Sequence, residues 1–393
     1  MTTPVWPYVP QVNVVESLEW LTDVIRCRAK EYRHCLRANP REGWQYTHHM
    51  TPQQFATAKK FARDNTGASF YLPVWTEFAH VGAIAAHTVS LSIDGSHRSY
   101  NDGDLLLVWD SETDYETCLI GTVGVGTISL NPWVVAEYTD AYVMPIREVT
   151  FAQPFEADRT SISALTETSA RFRAVDTLDL DEETGIVYAD YRGYPLVTDP
   201  TELLSSSITE EFQREVDALD SGSGVLVQLP TYDAAIQTTR LAWTRLTRDD
   251  VWDLRVWLHA RKGKWRAFWA SSWGPDITVT DDIGAGSTVV EIADCDFATT
   301  FGTPSDFVIR QTNGLSFPFK VLSVEAGDPG KELLNTASPI SVGGDVLVAN
   351  IAKTSRLTFS RFDADRIEIN HGVGGKATVA VPVIEVPYEE PPS

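Results

Sequence analysis

The chain has 393 residues, 43% hydrophobic and 22% charged, with 32 basic against 54 acidic side chains and a formal net charge of −22. That length suggests two domains with a sizeable core, and the composition is globular, not disordered. The acidic balance disfavours nucleic-acid binding through a general basic surface, and no apolar run approaches the roughly 20 residues of a membrane span.

Residues 1–13 carry Pro4, Pro7 and Pro10 and read as an extended, poorly packed arm without the basic and apolar regions of a secretory signal. A first β-rich unit is expected over residues 14–175. Its opening, Leu18–Arg37, reads two ways. Leu18, Leu21, Ile25 and Arg28 fall at helical spacing, but the second half of the chain argues for a hairpin. Thr51-Pro52-Gln53-Gln54 is a helix start with a capping box, so a helix is expected near 51–64, with Phe55, Ala58, Phe61 and Ala62 on one face and a stop near Gly67. The aromatic strand FYLPVW (Phe70–Trp75) follows. The acidic, turn-rich stretch 176–202 reads as a linker. A second β-rich unit is expected over 203–386, opening as strand, glycine-rich turn and strand over Glu211–Leu229. Its helix, near 248–261, starts at Thr247-Arg248-Asp249-Asp250, buries Val251, Leu254, Trp257 and Leu258, and stops near Gly263. Residues 387–393 form a Pro/Glu-rich tail.

The two units repeat each other. Met50–Trp75 returns as Leu246–Trp273, Thr51 matching Thr247 and Gly67 matching Gly263. Downstream, Tyr100–Asp104 and LLLVW parallel Gly302–Asp306 and FVI. AYVMPI (Ala141–Ile146) parallels VLVANI (Val346–Ile351), and TFAQPFEADRTSI (Thr150–Ile162) parallels TFSRFDADRIEI (Thr358–Ile369). Ser169–Val175 parallels Lys376–Val383. Five blocks in one order predict a mainly β fold of two tandem homologous sandwich- or barrel-like units, each with one short α-helix.

The motifs that would carry chemistry are weak. No GxSxG, SxxK or Cys–His signature occurs. GTVGVGT (Gly121–Thr127) lacks the GK[ST] ending of a phosphate loop and reads as a β-turn or bulge. Asp179–Asp190 has some calcium-loop spacing but no Gly at position six and no Glu at position twelve. His48 and His49, adjacent on a strand, face opposite ways and do not make a metal site with His34 or His80. Asp158-Arg159 and Asp365-Arg366 recur in both units, which favours a structural ion pair. The Trp75 and Trp265/Trp269/Trp273 clusters suit a core better than a sugar platform. Cys27, Cys35, Cys118 and Cys295 show no zinc spacing, and a Cys27–Cys35 bridge is the minor reading. The expectation is a protein that is not an enzyme, with no catalytic, cofactor-binding or metal residue assigned and no cofactor.

Glu16–Glu42, FYLPVW, and the endings FEADR and FDADR followed by VAVPVIEVPYE resemble virion proteins of tailed bacteriophages, of the siphophage tail-tip or baseplate type, distal tail or hub class. The resemblance implies β-sandwich or barrel domains with a helix. It also implies a structural ring at the distal end of the tail, joining the tail tube to hub, fibres or receptor-binding proteins. Such a protein is assembled in the host cytoplasm, resides in the virion and does not insert into a membrane. With a duplicated chain, three copies would give near-sixfold symmetry, although six copies stay open. DNA would pass without specific binding through an acidic lumen, so the surplus carboxylates are expected on one surface. The alternative is a carbohydrate-binding or adhesion module using exposed Trp clusters.

Overall fold

The structure is a computed structural model and describes residues 3–27, 30–158, 165–178, 180, 188–198, 209–214, 216–220, 222, 224, 226–230 and 235–386. β1 (Val14–Cys27) and β2 (Lys30–Met50) form a long antiparallel hairpin, with Ile25 opposite Tyr32. Leu18–Arg37 is therefore strand and not helix. Its helical spacing marks no buried stripe, because Leu21, Ile25, Tyr32 and Leu36 stay exposed on the hairpin's outer face. Cys27 lies opposite Lys30 and Cys35 opposite Thr22, so the register keeps these two apart, and Cys35 is a free thiol. Thr51 caps α1 (Pro52–Asn65) through the expected box with Gln54, and Phe55, Ala58 and Ala62 are buried beneath it.

The first half continues through β3 (Phe70–Pro73), β4 (Ala79–Ile84), β5 (Ser90–Leu91), β6 (Leu105–Ser111), β7 (Asp114–Gly124), β8 (Thr127–Leu130), β9 (Tyr138–Phe151), β10 (Glu156–Asp158) and β11 (Thr166–Ala174). GTVGVGT is the β7–β8 turn, with Gly126 at φ 71°. A small hairpin, β12 (Asp190–Tyr191) and β13 (Tyr194–Pro195), leads into the second half. That half contains β14 (Glu211–Gln213), β15 (Val216–Asp220), β16 (Leu226–Pro230), β17 (Ile236–Arg245), α2 (Arg248–Arg261), β18 (Phe268–Ser271), β19 (Val289–Ala293) and the single turn α3 (Phe297–Thr300). It ends with β20 (Ser305–Gln311), β21 (Ser316–Ala326), β22 (Lys331–Thr336), β23 (Ile351–Phe362), β24 (Arg366–His371) and β25 (Ala377–Glu385). The fold is mainly β, and the strands named above pair antiparallel.

The halves share one pairing plan. β2 pairs with β11 as β17 pairs with β25, β3 with β9 as β18 with β23, and β10 with β11 as β24 with β25. β6, between β7 and β9, matches β20 between β21 and β23. Each half has a main core under its helix and a second core in the lobe inserted between β3 and β9, or β18 and β23. Alternation decides which face is buried: Thr166, Thr168, Ala170 and Phe172 on β11, and Ala377, Val379, Val381 and Val383 on β25.

Register also corrects two of the letter matches. Phe151 lies opposite Phe172 as Phe362 lies opposite Val383, so Phe151 and Phe362 are the counterparts. FEADR and FDADR are not equivalent: Glu156–Asp158 is strand β10, whereas Asp363–Asp365 precedes β24. VLVANI slips as well, since Val348–Asn350 is a 3-10 turn before β23 while Ala141–Ile146 lies inside β9. Strands with a two-residue period resemble themselves at several shifts, so letters alone fix the strand but not the register.

The N-terminal arm is not poorly packed. Trp6 is fully buried in the first core, and its backbone N–H donates to Tyr71 O at 2.8 Å. The end of the expected linker does the same in the second half, where Val197 N donates to Trp269 O at 3.0 Å and Val197 enters the core. Bridges Val5·Tyr71 and Leu196·Trp269 are both parallel. Both arms thus belong to their units, and the volumes compensate: Trp6 accompanies Ala58, whereas Val197 accompanies Leu254. Leu180, also within the expected linker, packs on Trp252 and Val256. Most of Asp179–Asp190 and the tail 387–393 lie outside the described residues.

Candidate functional site

The feature that organises the molecule is the seam between the halves. β1 pairs with β2 on one side and with β24 on the other, Glu16 lying opposite Trp44 and Ile369. One sheet therefore runs β11–β2–β1–β24–β25–β17–β14 through both halves. Leu18 and Trp20, from the first half, are buried in the core of the second. Beyond them the hairpin lies along the second half. Thr22 N and Oγ1 donate to the Asp365 carboxylate at 2.8 and 2.9 Å, Arg361 Nη2 donates to Glu31 at 2.9 Å, and Arg33 Nη1 donates to Trp265 O at 2.9 Å. The backbones approach closely at Gly263, φ 62°, where an added Cβ would stand 2.6 Å from Asp365 Oδ1 and 3.2 Å from Trp20 Cβ.

Arg255 lies at the centre of the seam. It projects from α2, whose residues from Val251 to His259 are nearly all buried, into a cluster of first-half carboxylates. Its Nε stands 2.9 Å from Glu16, Nη2 2.9 Å from Glu42 and Nη1 3.1 Å from Glu77. Glu42 also meets Arg147 at 2.7 Å, Arg147 meets Asp176 at 3.1 Å, and His371 Nε2 meets Glu16 at 2.9 Å. Glu77 is held further by Ser99 N and Oγ. Burial alone would raise the Glu16 carboxyl, but Arg255 and His371 outweigh it and hold it at about 2. Burial raises Glu42 even against Arg255 and Arg147. Burial, with Arg255 beside it, pushes His259 down to about 3. A crevice of about 450 Å³ opens next to this knot, between the N-terminal arm, Trp75–Phe78, Trp252 and Gly372–Lys376. Of the guanidinium groups lining it, Arg255 already faces carboxylates and Arg248 donates to Phe78 O at 2.6 Å, and the arrangement joins two like units.

The residues weighed from sequence fall elsewhere. His48 is buried beside Trp6 and Tyr46, His34 lies opposite Asp23 on the hairpin, His49 is exposed near Glu167, and His80 meets Asp140 at 2.6 Å. The structure does not gather them. Asp365 binds backbone and hydroxyl groups at the seam, while Arg366 pairs with exposed Glu368. The Asp158 side chain and Arg159 lie outside the described residues. Trp75, Trp269 and Trp273 are buried, and Trp265 is half-buried, with Arg266 stacked on it. Trp75, Trp269 and Trp273 serve the cores, and Trp265 lies outside them.

The acidic surplus does not gather on the shared sheet. Charges on its exposed face are Arg41, Arg171, Arg173, Arg240 and Arg366 against Glu19, Glu167, Glu211 and Glu368, with Glu156 on the adjoining β10. The net negative charge concentrates in the two lobes instead, because basic side chains are scarce there: residues 79–140 hold nine acids against one arginine, and residues 277–346 hold ten against three basic side chains.

Sequence reasoning missed the Arg255 knot because its members come from segments spread along the whole chain, from Glu16 to His371. One signal was available: α2 is apolar nearly all round, a pattern that means burial, so an arginine inside it requires partners. No model of a known protein family matches this chain, and no curated protein matches its sequence.

Proposed function

We infer that this chain is a structural, ring-forming virion protein of a tailed phage, acting at the distal end of the tail to connect tube with hub, fibres or receptor-binding proteins. The observation that carries the reading is the seam. One unit lends a strand and two core side chains to a second, like unit in a head-to-tail contact, the kind that closes into rings when repeated. The resemblance of Glu16–Glu42 and of the strand endings supplies the virion context. The role is structural and not catalytic, with three or six copies per ring. Among the described residues no helix is long and apolar enough to cross a membrane. An acidic DNA channel would have to be lined by the lobes, since arginine balances glutamate on the exposed face of the shared sheet. Native mass spectrometry and negative-stain imaging test the reading. A trimer or hexamer with a central opening supports it, and a strict monomer at every concentration overturns it.

A further inference from the structure

Among the described residues two strand edges carry no second partner, in matching positions. Within the chain β24 is covered by β1, with Leu18 opposite Ile367 and Glu16 opposite Ile369. β10 is the first-half counterpart of β24: Ala157 lies opposite Thr168 on β11 as Ile369 lies opposite Val379 on β25. β14 is the second-half counterpart of β1. Phe212 lies opposite Gln237, and Leu18 opposite Glu42, each partner standing eight residues before the end of its strand. Among the described residues β10 pairs only with β11, and β14 only with β17. Burial agrees. Leu18 and Ile369 are 0% exposed, whereas Phe212 is 65% exposed and Ala157 is also exposed. Natural proteins seldom leave such edges uncovered.

We propose that β14 of one copy adds antiparallel to β10 of a second copy, repeating between chains the β1·β24 pairing made within each. The counterpart register sets Phe212 opposite Phe155 and Glu210 opposite Ala157 of the neighbour. Charge follows the same rule. Lys59 holds on α1 the place that Arg255 holds on α2, and Glu210 precedes Phe212 as Glu16 precedes Leu18. Lys59 and Glu210, both exposed, therefore meet across the contact as Arg255 and Glu16 meet inside the chain. Glu211 faces Glu156 on the solvent side, where water screens the repulsion. Each copy carries one edge of each kind, so the contact propagates head to tail into a closed ring.

This proposal rests on the ring reading, and the experiment separates the two. Chains carrying Ala157→Cys are mixed with chains carrying Glu210→Cys and mildly oxidised, with each variant alone as the control for native thiols. A disulfide-linked dimer is expected in the mixture only, because directly opposed strand residues bring their Cβ atoms within reach of a disulfide after a small adjustment. Phe212→Asp should drop the native mass to that of the monomer while leaving the circular dichroism and Tm of the monomer unchanged, Phe212 being exposed in the lone chain. An oligomer that survives Phe212→Asp and gives no mixed disulfide overturns the strand addition and leaves the ring standing. An unmodified chain that is monomeric at every concentration overturns both.

Discussion

Arg255 shows how a buried charge can fix specificity more than stability. Its guanidinium and the carboxylates of Glu16, Glu42 and Glu77 are all nearly inaccessible. Taking such groups from water costs several kcal/mol per ion, and their attraction does little more than offset that cost. Removing one partner is a different matter, because the others stay buried and unpaired. Arg255→Met is expected to destabilise the chain by about 3–5 kcal/mol in urea unfolding. Adding Glu16→Gln and Glu77→Gln to Arg255→Met should recover much of the loss, with Glu42 keeping Arg147. A triple variant no better than the single one would mean that the cost lies in the packing of the Arg255 stem on Trp252, over whose ring the guanidinium sits at 5.5 Å.

At the scale of the element, β1 decides the architecture, since it is the second half's strand as much as the first's. Trp20 reaches the far core beside His259, at a ring separation of 5.7 Å. Trp20→Ala, although a change in the first half, is expected to cost about 3–5 kcal/mol. It should speed amide exchange in β24 and β25 more than in β9 and β11, and the reverse order would contradict the shared core. The helices were legible in the sequence because caps and glycine stops are local chemistry. Thr51 and Thr247 cap where their letters place them, and Lys262 and Gly263 end α2 at φ 53° and 62°. The repeat was legible too in the order of its blocks, though not in the register of every strand. What the letters could not carry was non-local. The FEADR/FDADR match slid along the strand, the arm around Trp6 looked like loose chain, and the Arg255 partners lie over a hundred residues away. Each depends on what packs opposite, and a linear pattern does not record that.

For the whole molecule, charge and burial act in separate places. The acidic surplus resides in the two lobes, whereas buried histidines sit under the shared sheet, His48 in the first half and His259 in the second. Burial depresses His48 to about 4 and His259 to about 3, so both are neutral in the folded chain at pH 7. An unfolded histidine titrates near 6.5. The stability these groups contribute is therefore whole above about pH 6.5, and it is lost as pH falls through the folded values. At pH 5 the unfolded chain holds protons on both rings that the folded chain refuses, which costs about 2 kcal/mol per histidine. Glu16 adds to the loss only below about 4.5, because its folded value of about 2 lies under the unfolded one. In urea unfolding the two histidines are thus expected to take about 4 kcal/mol from the stability between pH 7 and pH 5, while the raised Glu42 carboxyl acts in the opposite sense. The slope should halve in His48→Gln, whose amide keeps an acceptor toward Trp6 Nε1. A flat profile over that interval would show that water or charge reaches both rings, and that the two cores are less closed than their burial implies.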